Sequence, residues 1–312
     1  MPPPSNRPAL VVTLNKSIFL WMFCLATHRI QSAVRAFAFA PSSRRIDVVS
    51  ATSTIVKSNF ALKSTLQTTT MDRNATDVSP SAKIDYPVEM TEDERYLFDL
   101  NGFLIVRGVL TTDEVAEANL AIDRHAHEMV ERSDTDLRNA KKGTRFSGQG
   151  PGRMDLGRCL EWGEKDSRVF KSILAHPRLV PLFHGILGKG YRMDHLPMIL
   201  AQNKGSEGFH LHGGTIDCSS GNYNPHIAYH YQHGTIRSSL LGCNVILRDH
   251  NPGDGGFCVV PGSHKSNFKM PKGMVDGEKY EEFVIQPATK AGDVILFSEG
   301  TVHGAKVRMQ QF

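Results

Sequence analysis

The chain has 312 residues, 40% apolar and 22% charged, which is enough for one large core and a tail. Its net charge of +4 is local: Arg7, Lys16, Arg29, Arg35, Arg44, Arg45, Lys57 and Lys63 face a single acid, Asp47. Beyond residue 70 acids slightly outnumber bases, so no nucleic-acid partner is implied. The cysteines (Cys24, Cys159, Cys218, Cys243, Cys258) are odd in number and lack any CxxC pair, which excludes a zinc knuckle and a disulfide framework.

Residues 11–26 form an apolar run broken by Asn15 and Lys16. The clean part, 17–26, is too short to cross a bilayer and fits a signal-peptide core, with a buried helix or an anchor as the alternative. Ala36-Phe37-Ala38-Phe39-Ala40-Pro41 follows, and then a Ser-, Thr-, Lys- and Arg-rich stretch runs almost free of acids to Thr70. This order resembles the bipartite plastid-targeting presequences of algae with secondary plastids, in which cleavage falls before the Phe, here Phe39. Residues 1–84 are therefore expected to be a presequence and linker outside the fold, with no stable membrane span in the mature protein. Plastid delivery is the expectation; a start at Met71 implies a cytoplasmic protein, and secretion is a further alternative.

Thr91 with Glu94 makes a capping box that opens a helix to about residue 100, stopped by Asn101-Gly102. Residues 103–106 read as a strand. A second box, Thr111 with Glu114, precedes Val115, Asn119, Ile122, Ala126 and Val130 at helical spacing, which predicts a helix over 113–131. A polar, Gly-rich connection covers 133–158. Two helices are predicted over 167–174 and 177–187, separated at Pro177 and closed by Gly188 and Gly190. From 191 the character changes: 198–201, 240–247, 256–260, 283–286 and 294–297 are short β-type runs between Gly, Pro, Asn and Asp clusters. Helices first and strands afterwards describe a helical buttress against an all-β sandwich or barrel.

The densest polar cluster at a strand end is Phe209-His210-Leu211-His212-Gly213-Gly214. A second histidine, His303, follows the 294–297 strand. Two histidines on distant strands converge only if the sheet closes on itself. Two imidazoles and a carboxylate on one face of an octahedron suit iron(II) and leave positions for a 2-oxo acid and O2.

The neighbouring segments carry a resemblance. Asn101-Gly102-Phe103-Leu104-Ile105-Val106-Arg107-Gly108-Val109-Leu110, then Gly255-Gly256-Phe257-Cys258-Val259-Val260-Pro261-Gly262-Ser263-His264-Lys265, then Gly292-Asp293-Val294 leading to His303-Gly304, resemble the phytanoyl-CoA dioxygenase family in the right order. The resemblance spans about residues 90–305 of an expected 85–312 domain. It implies a mainly β, double-stranded β-helix (a cupin-like jelly roll) with flanking helices, an α+β fold. It also implies iron(II), 2-oxoglutarate and O2, with a small-molecule substrate hydroxylated and succinate and carbon dioxide released. His264 reads as a turn residue at the pocket mouth.

Two departures from the family pattern stand out. The family's proximal motif is His-x-Asp, but two residues after His212 stands Gly214. Asp217 is the nearest acid, Asp194 and Glu207 are alternatives, and His210 would supply a third imidazole if the motif slips by two. A His-x-Gly motif resembles the iron halogenases of the superfamily, where a halide fills the vacated position. The family also holds the distal carboxylate of 2-oxoglutarate with an Arg about one strand beyond the distal histidine. Here the sequence stops at Phe312 and Arg308 is the one substitute, so the expectation is either a domain truncated at its C-terminus, with an open sheet edge, or a cosubstrate held differently. A non-catalytic jelly-roll protein is the alternative that follows. Tyr223, Tyr229, His230, Tyr231 and His233 form an insert that either lines the pocket or stands in solvent, and Trp162 reads as structural.

Overall fold

The computed structural model describes residues 86–132, 140 and 142–309, together with the backbone course of 17–25. Helix α1 (Glu92–Asn101) begins at Thr91, whose hydroxyl accepts from the Glu94 N–H while the Glu94 carboxylate accepts from the Thr91 N–H. Gly102 ends it at φ 78°, where a Cβ would collide with Thr301 and His264. Strand β2 (Phe103–Val106) follows, then α2 (Thr112–Arg124) with the same reciprocal cap at Thr111 and Glu114. The predicted helix to 131 stops early. The His125 ring stacks on Trp162 at 4.0 Å and its nitrogens meet Glu128 and Asp166, so the chain turns out of the helical path into β3 (Val130–Glu131).

After β4 (Met154–Leu156), α3 (Glu164–Ile173) and α4 (Val180–Leu187) the chain enters β5 (Arg192–Gln202) and β6 (Phe209–His212). A two-stranded hairpin, β7 (Tyr229–Gln232) and β8 (Thr235–Ser238), leads to β9 (Leu240–Ile246) and β10 (Gly256–Val259). The short α5 (Lys272–Val275) precedes β11 (Val294–Ser298) and β12 (His303–Lys306). The predicted strand over 283–286 is reduced to a single bridge, Ile285 to Val259, after a 3-10 turn at Glu281–Phe283. Phe283 and Ile285 are exposed, so no second face holds the run in a sheet.

One sheet runs β2-β11-β9-β1-β5-β4-β3 and the other β10-β12-β6, which makes a jelly roll. Strand β1 (Ser17–Leu25) lies antiparallel between β5 and β9. Composition places this segment outside the fold, as a signal-like core; an apolar run of this length serves equally as a strand. The segment thus joins the large sheet, paired with β5 on one side and with β9 on the other. Residues 26–85, including the Phe39 junction and Met71, lie outside the described residues. Among the described residues no helix is long and apolar enough to cross a membrane.

The strands divide their side chains between two clusters. Leu241, Cys243 and Val245 of β9 pack outward with Ile122, Phe170 and Phe183 of the helices. Ile246 joins Phe209, Phe257, Ile295 and Phe297 between the sheets. That inter-sheet space, at the end where β11 turns into β12, holds the histidines.

Candidate metal centre

His212 ends β6 and His303 begins β12, directly opposite each other in the antiparallel register, with ring centroids 4.3 Å apart. Each imidazole is oriented by a backbone carbonyl two residues back: His212 Nδ1 donates to His210 O at 3.0 Å, and His303 Nδ1 to Thr301 O at 2.8 Å. Donation from Nδ1 leaves Nε2 as the lone-pair nitrogen, which is how a protein presents imidazole to a metal. The third member is Glu299, in the turn between β11 and β12, with a carboxylate oxygen 3.3 Å from His303 Nε2. All three residues are buried and their ligand atoms lie within 4.8 Å of one another. A carboxylate and two lone-pair nitrogens converging away from water fit a divalent cation, and this donor set is that of non-haem iron(II). Phe257 and Phe297 flank His303, the latter at 4.5 Å, and keep the site dry.

The Gly213-Gly214 pair explains the missing acid. Both adopt positive φ, 82° and 88°, where an L side chain is strained. A Cβ at 213 would sit 2.6 Å from Thr301 O and 2.8 Å from Glu299 O, so this glycine lets the two turns touch. A Cβ at 214 would point at Val302 instead. A buried acid, Glu299, stands instead on the facing turn, four residues before His303. The search two residues after His212 misses it; the available signal is a lone acid in Phe-Ser-Glu-Gly-Thr-Val-His.

The other sequence-predicted residues lie elsewhere. His210 is half-exposed, its ring 5.9 Å from that of His212, and it is outside the triad. Asp217 is spent on a turn: its carboxylate accepts from Ser220 N at 2.6 Å, Ser220 Oγ at 2.7 Å and Ser219 N at 3.1 Å. Those bonds, led by the Ser220 N–H, hold its pKa below the ordinary carboxylate value. Asp194 pairs with His195 at 2.7 Å, and Glu207 lines a polar cavity with Arg132. Arg308 follows the far end of β12 from His303 and donates to Gln202 O at 2.8 Å, with burial lowering its pKa. It lies five residues after His303, beyond the end of β12. His264 is buried but bonds Asp99 O through Nε2 at 2.9 Å. In the insert, Tyr223 and Tyr231 are exposed, and the Tyr223 hydroxyl meets His230 Nε2 at 2.6 Å. Tyr229 is buried and reaches Asp99 at 2.5 Å.

A cleft of about 410 Å³ opens beside the Gly213-Gly214 turn, walled by Val260, Met270, Met274 and Val302. Its lining includes Gly213, which follows His212, and Val302, which precedes His303.

Residues 98–308 match the model of the family described as phytanoyl-CoA dioxygenase (PhyH). The chain belongs to the phytanoyl-CoA dioxygenase family. This member is accordingly an iron(II)- and 2-oxoglutarate-dependent dioxygenase that uses O2. It is 24% identical over 229 residues to an ectoine dioxygenase of Stutzerimonas stutzeri, covering 67% of this chain and 68% of that protein. It is 21% identical to an ectoine dioxygenase of Nocardia farcinica, covering 72% and 75%. Among solved structures, HygX from Streptomyces hygroscopicus with nickel and 2-oxoglutarate bound superposes with a TM-score of 0.52 at 22% identity, covering 71% of this chain and 83% of that one. The iron-bound form of HygX superposes with a TM-score of 0.51. At these identities the superpositions speak to the fold.

Proposed function

We propose that this dioxygenase hydroxylates a small organic molecule while 2-oxoglutarate is converted to succinate and carbon dioxide, and that Glu299 completes the iron site with His212 and His303. The observation that carries the reading is the buried Glu299 carboxylate 3.3 Å from His303 Nε2, opposite a glycine where the family motif has its acid. A halogenase keeps that coordination position for a halide, whereas a carboxylate there favours hydroxylation. Iron, when bound, supplies the activation of O2 coupled to oxidation of the 2-oxo acid. The chain's part is positioning and exclusion of water. Carbonyls of His210 and Thr301 fix both imidazoles, Phe257 and Phe297 shield the metal face, and the apolar cleft admits a substrate whose reacting carbon is unactivated.

Anaerobic iron(II) with 2-oxoglutarate is expected to give a weak visible charge-transfer band in the full-length protein. Glu299→Ala should weaken Mn(II) binding in calorimetry by at least about tenfold. Unchanged Mn(II) affinity in that variant, or a band in the wild type that shifts with chloride, would return the position to a halide.

A further inference from the structure

Asn244 sits in the middle of β9 and is completely buried. Its neighbours Cys243 and Val245 face the helices, while Ile246 faces the inter-sheet space. Asn244 lies opposite Ile295, another inter-sheet residue, so its amide also enters that space. Among the described residues neither Nδ2 nor Oδ1 has a hydrogen-bond partner. An amide buried in this way costs about 1–3 kcal/mol, and native structures seldom keep one without a use.

Its place along the inner wall suggests the use. The next inward residue of β9 toward the metal end is Gly242, covered so closely by Phe297 that a Cβ there would stand 2.2 Å from the ring. The same ring is 4.5 Å from His303. The wall therefore presents the metal triad, then an aromatic spacer, then one bare amide, with Ile246 and Ile295 around it. A ligand that suits both polar stations is short and polar at its two ends. 2-Oxoglutarate has that form: a 2-oxo acid that chelates the metal and a second carboxylate at the other end. Arg308, the cation first expected to hold that carboxylate, is engaged with Gln202 O beyond the far end of β12.

We infer that the Asn244 side-chain N–H donates to the distal carboxylate of 2-oxoglutarate and makes Asn244 a selectivity residue for the cosubstrate. The inference rests on the His212–Glu299–His303 site. A neutral donor to a carboxylate gives a charge-assisted bond, here among apolar neighbours.

The test uses the full chain loaded with Mn(II), and calorimetric titration with 2-oxoglutarate and with 2-oxobutyrate, which has the same chelating head and no distal carboxylate. The wild type should prefer 2-oxoglutarate. Asn244→Leu should weaken 2-oxoglutarate about tenfold or more, leave 2-oxobutyrate and Mn(II) within about twofold, and so erase the preference. Its ligand-free Tm should stay level or rise, because an apolar side chain of similar volume replaces an unpartnered amide. Asn244→Val gives the same reading with less crowding. An unchanged preference in both variants overturns the inference and leaves the function standing, as does an equal loss of both ligands together with a lower Tm. A wild type that binds Mn(II) but neither 2-oxo acid overturns both.

Discussion

Two buried histidines occupy neighbouring turns of the barrel and are held by different company. His303 gives Nδ1 to Thr301 O and turns Nε2 toward Glu299 and the His212 ring. His264 gives Nε2 to Asp99 O, packs its ring edgewise on Tyr229 at 4.6 Å, and receives Thr215 Oγ1 on its carbonyl at 3.0 Å. Asp99 in turn accepts from Tyr229 and from Lys265 at 2.8 Å, so α1, the insert and the 263–265 turn are fastened together. Both histidines are at most 1% exposed, so burial does not mark a ligand. The distinction lies in the second nitrogen. At His303 it meets an acid and another imidazole, and at His264 the bonding goes to main chain across the fold.

The largest effect should separate the two corners outright. His303→Ala is expected to weaken Mn(II) at least about a hundredfold in calorimetry. His264→Ala should leave Mn(II) affinity within about twofold, although each variant loses roughly 2–4 kcal/mol in urea unfolding from its cavity and its broken bond to a main-chain carbonyl. Loss of metal binding in both variants would dissolve the distinction.

A pH titration sharpens it. Burial pushes the His264 pKa down to about 4 from an ordinary value near 6.5. The unfolded chain therefore binds the proton first, and stability falls as pH drops through the window from 6.5 to about 4, by no more than roughly 3 kcal/mol from this group. Ligand-free His264→Gln should show a shallower slope there; an unchanged slope would assign the acid sensitivity to other groups. Next in size is Gly214→Ala, where φ 88° predicts a loss of about 1–2 kcal/mol without steric collision, since the new Cβ meets Val302 at 3.4 Å. A neutral result in urea unfolding would show that the turn relaxes.

Local signals read well in this sequence. Both capping boxes, the strand at 103–106 and the strand leading to His303 depend on residues within a few positions of one another, and they stand where the pattern puts them. What escaped depends on contacts distant in sequence. Helix α2 ends early because His125 meets Trp162 and Asp166 on another element. Segment 17–25 has an apolar run that suits a signal core and a strand alike, and its pairing partners, β5 and β9, lie far along the chain. Glu299 was hidden because a carboxylate facing a metal can come from either of two turns, and the family motif names one.

Tyr229→Phe should give the smallest effect and tests whether the His264 corner is one unit. The hydroxyl's bond to Asp99 is 2.5 Å, and burial, then Asp99, pushes the tyrosine pKa up, so the group donates throughout the ordinary pH range. Burial raises the Asp99 pKa, but the bonds from Lys265 and Tyr229 outweigh it and the net shift is downward. Its contribution is therefore present above the unfolded pKa and lost as pH falls below it. Without the hydroxyl, Asp99 keeps Lys265 and, being 38% exposed at its side chain, regains water, so the loss should be about 1 kcal/mol or less. If the corner is one unit, the loss in Tyr229→Phe and that in His264→Ala will not add, since the two rings pack edgewise and both bond Asp99; strict additivity in a double-mutant cycle would make them independent supports.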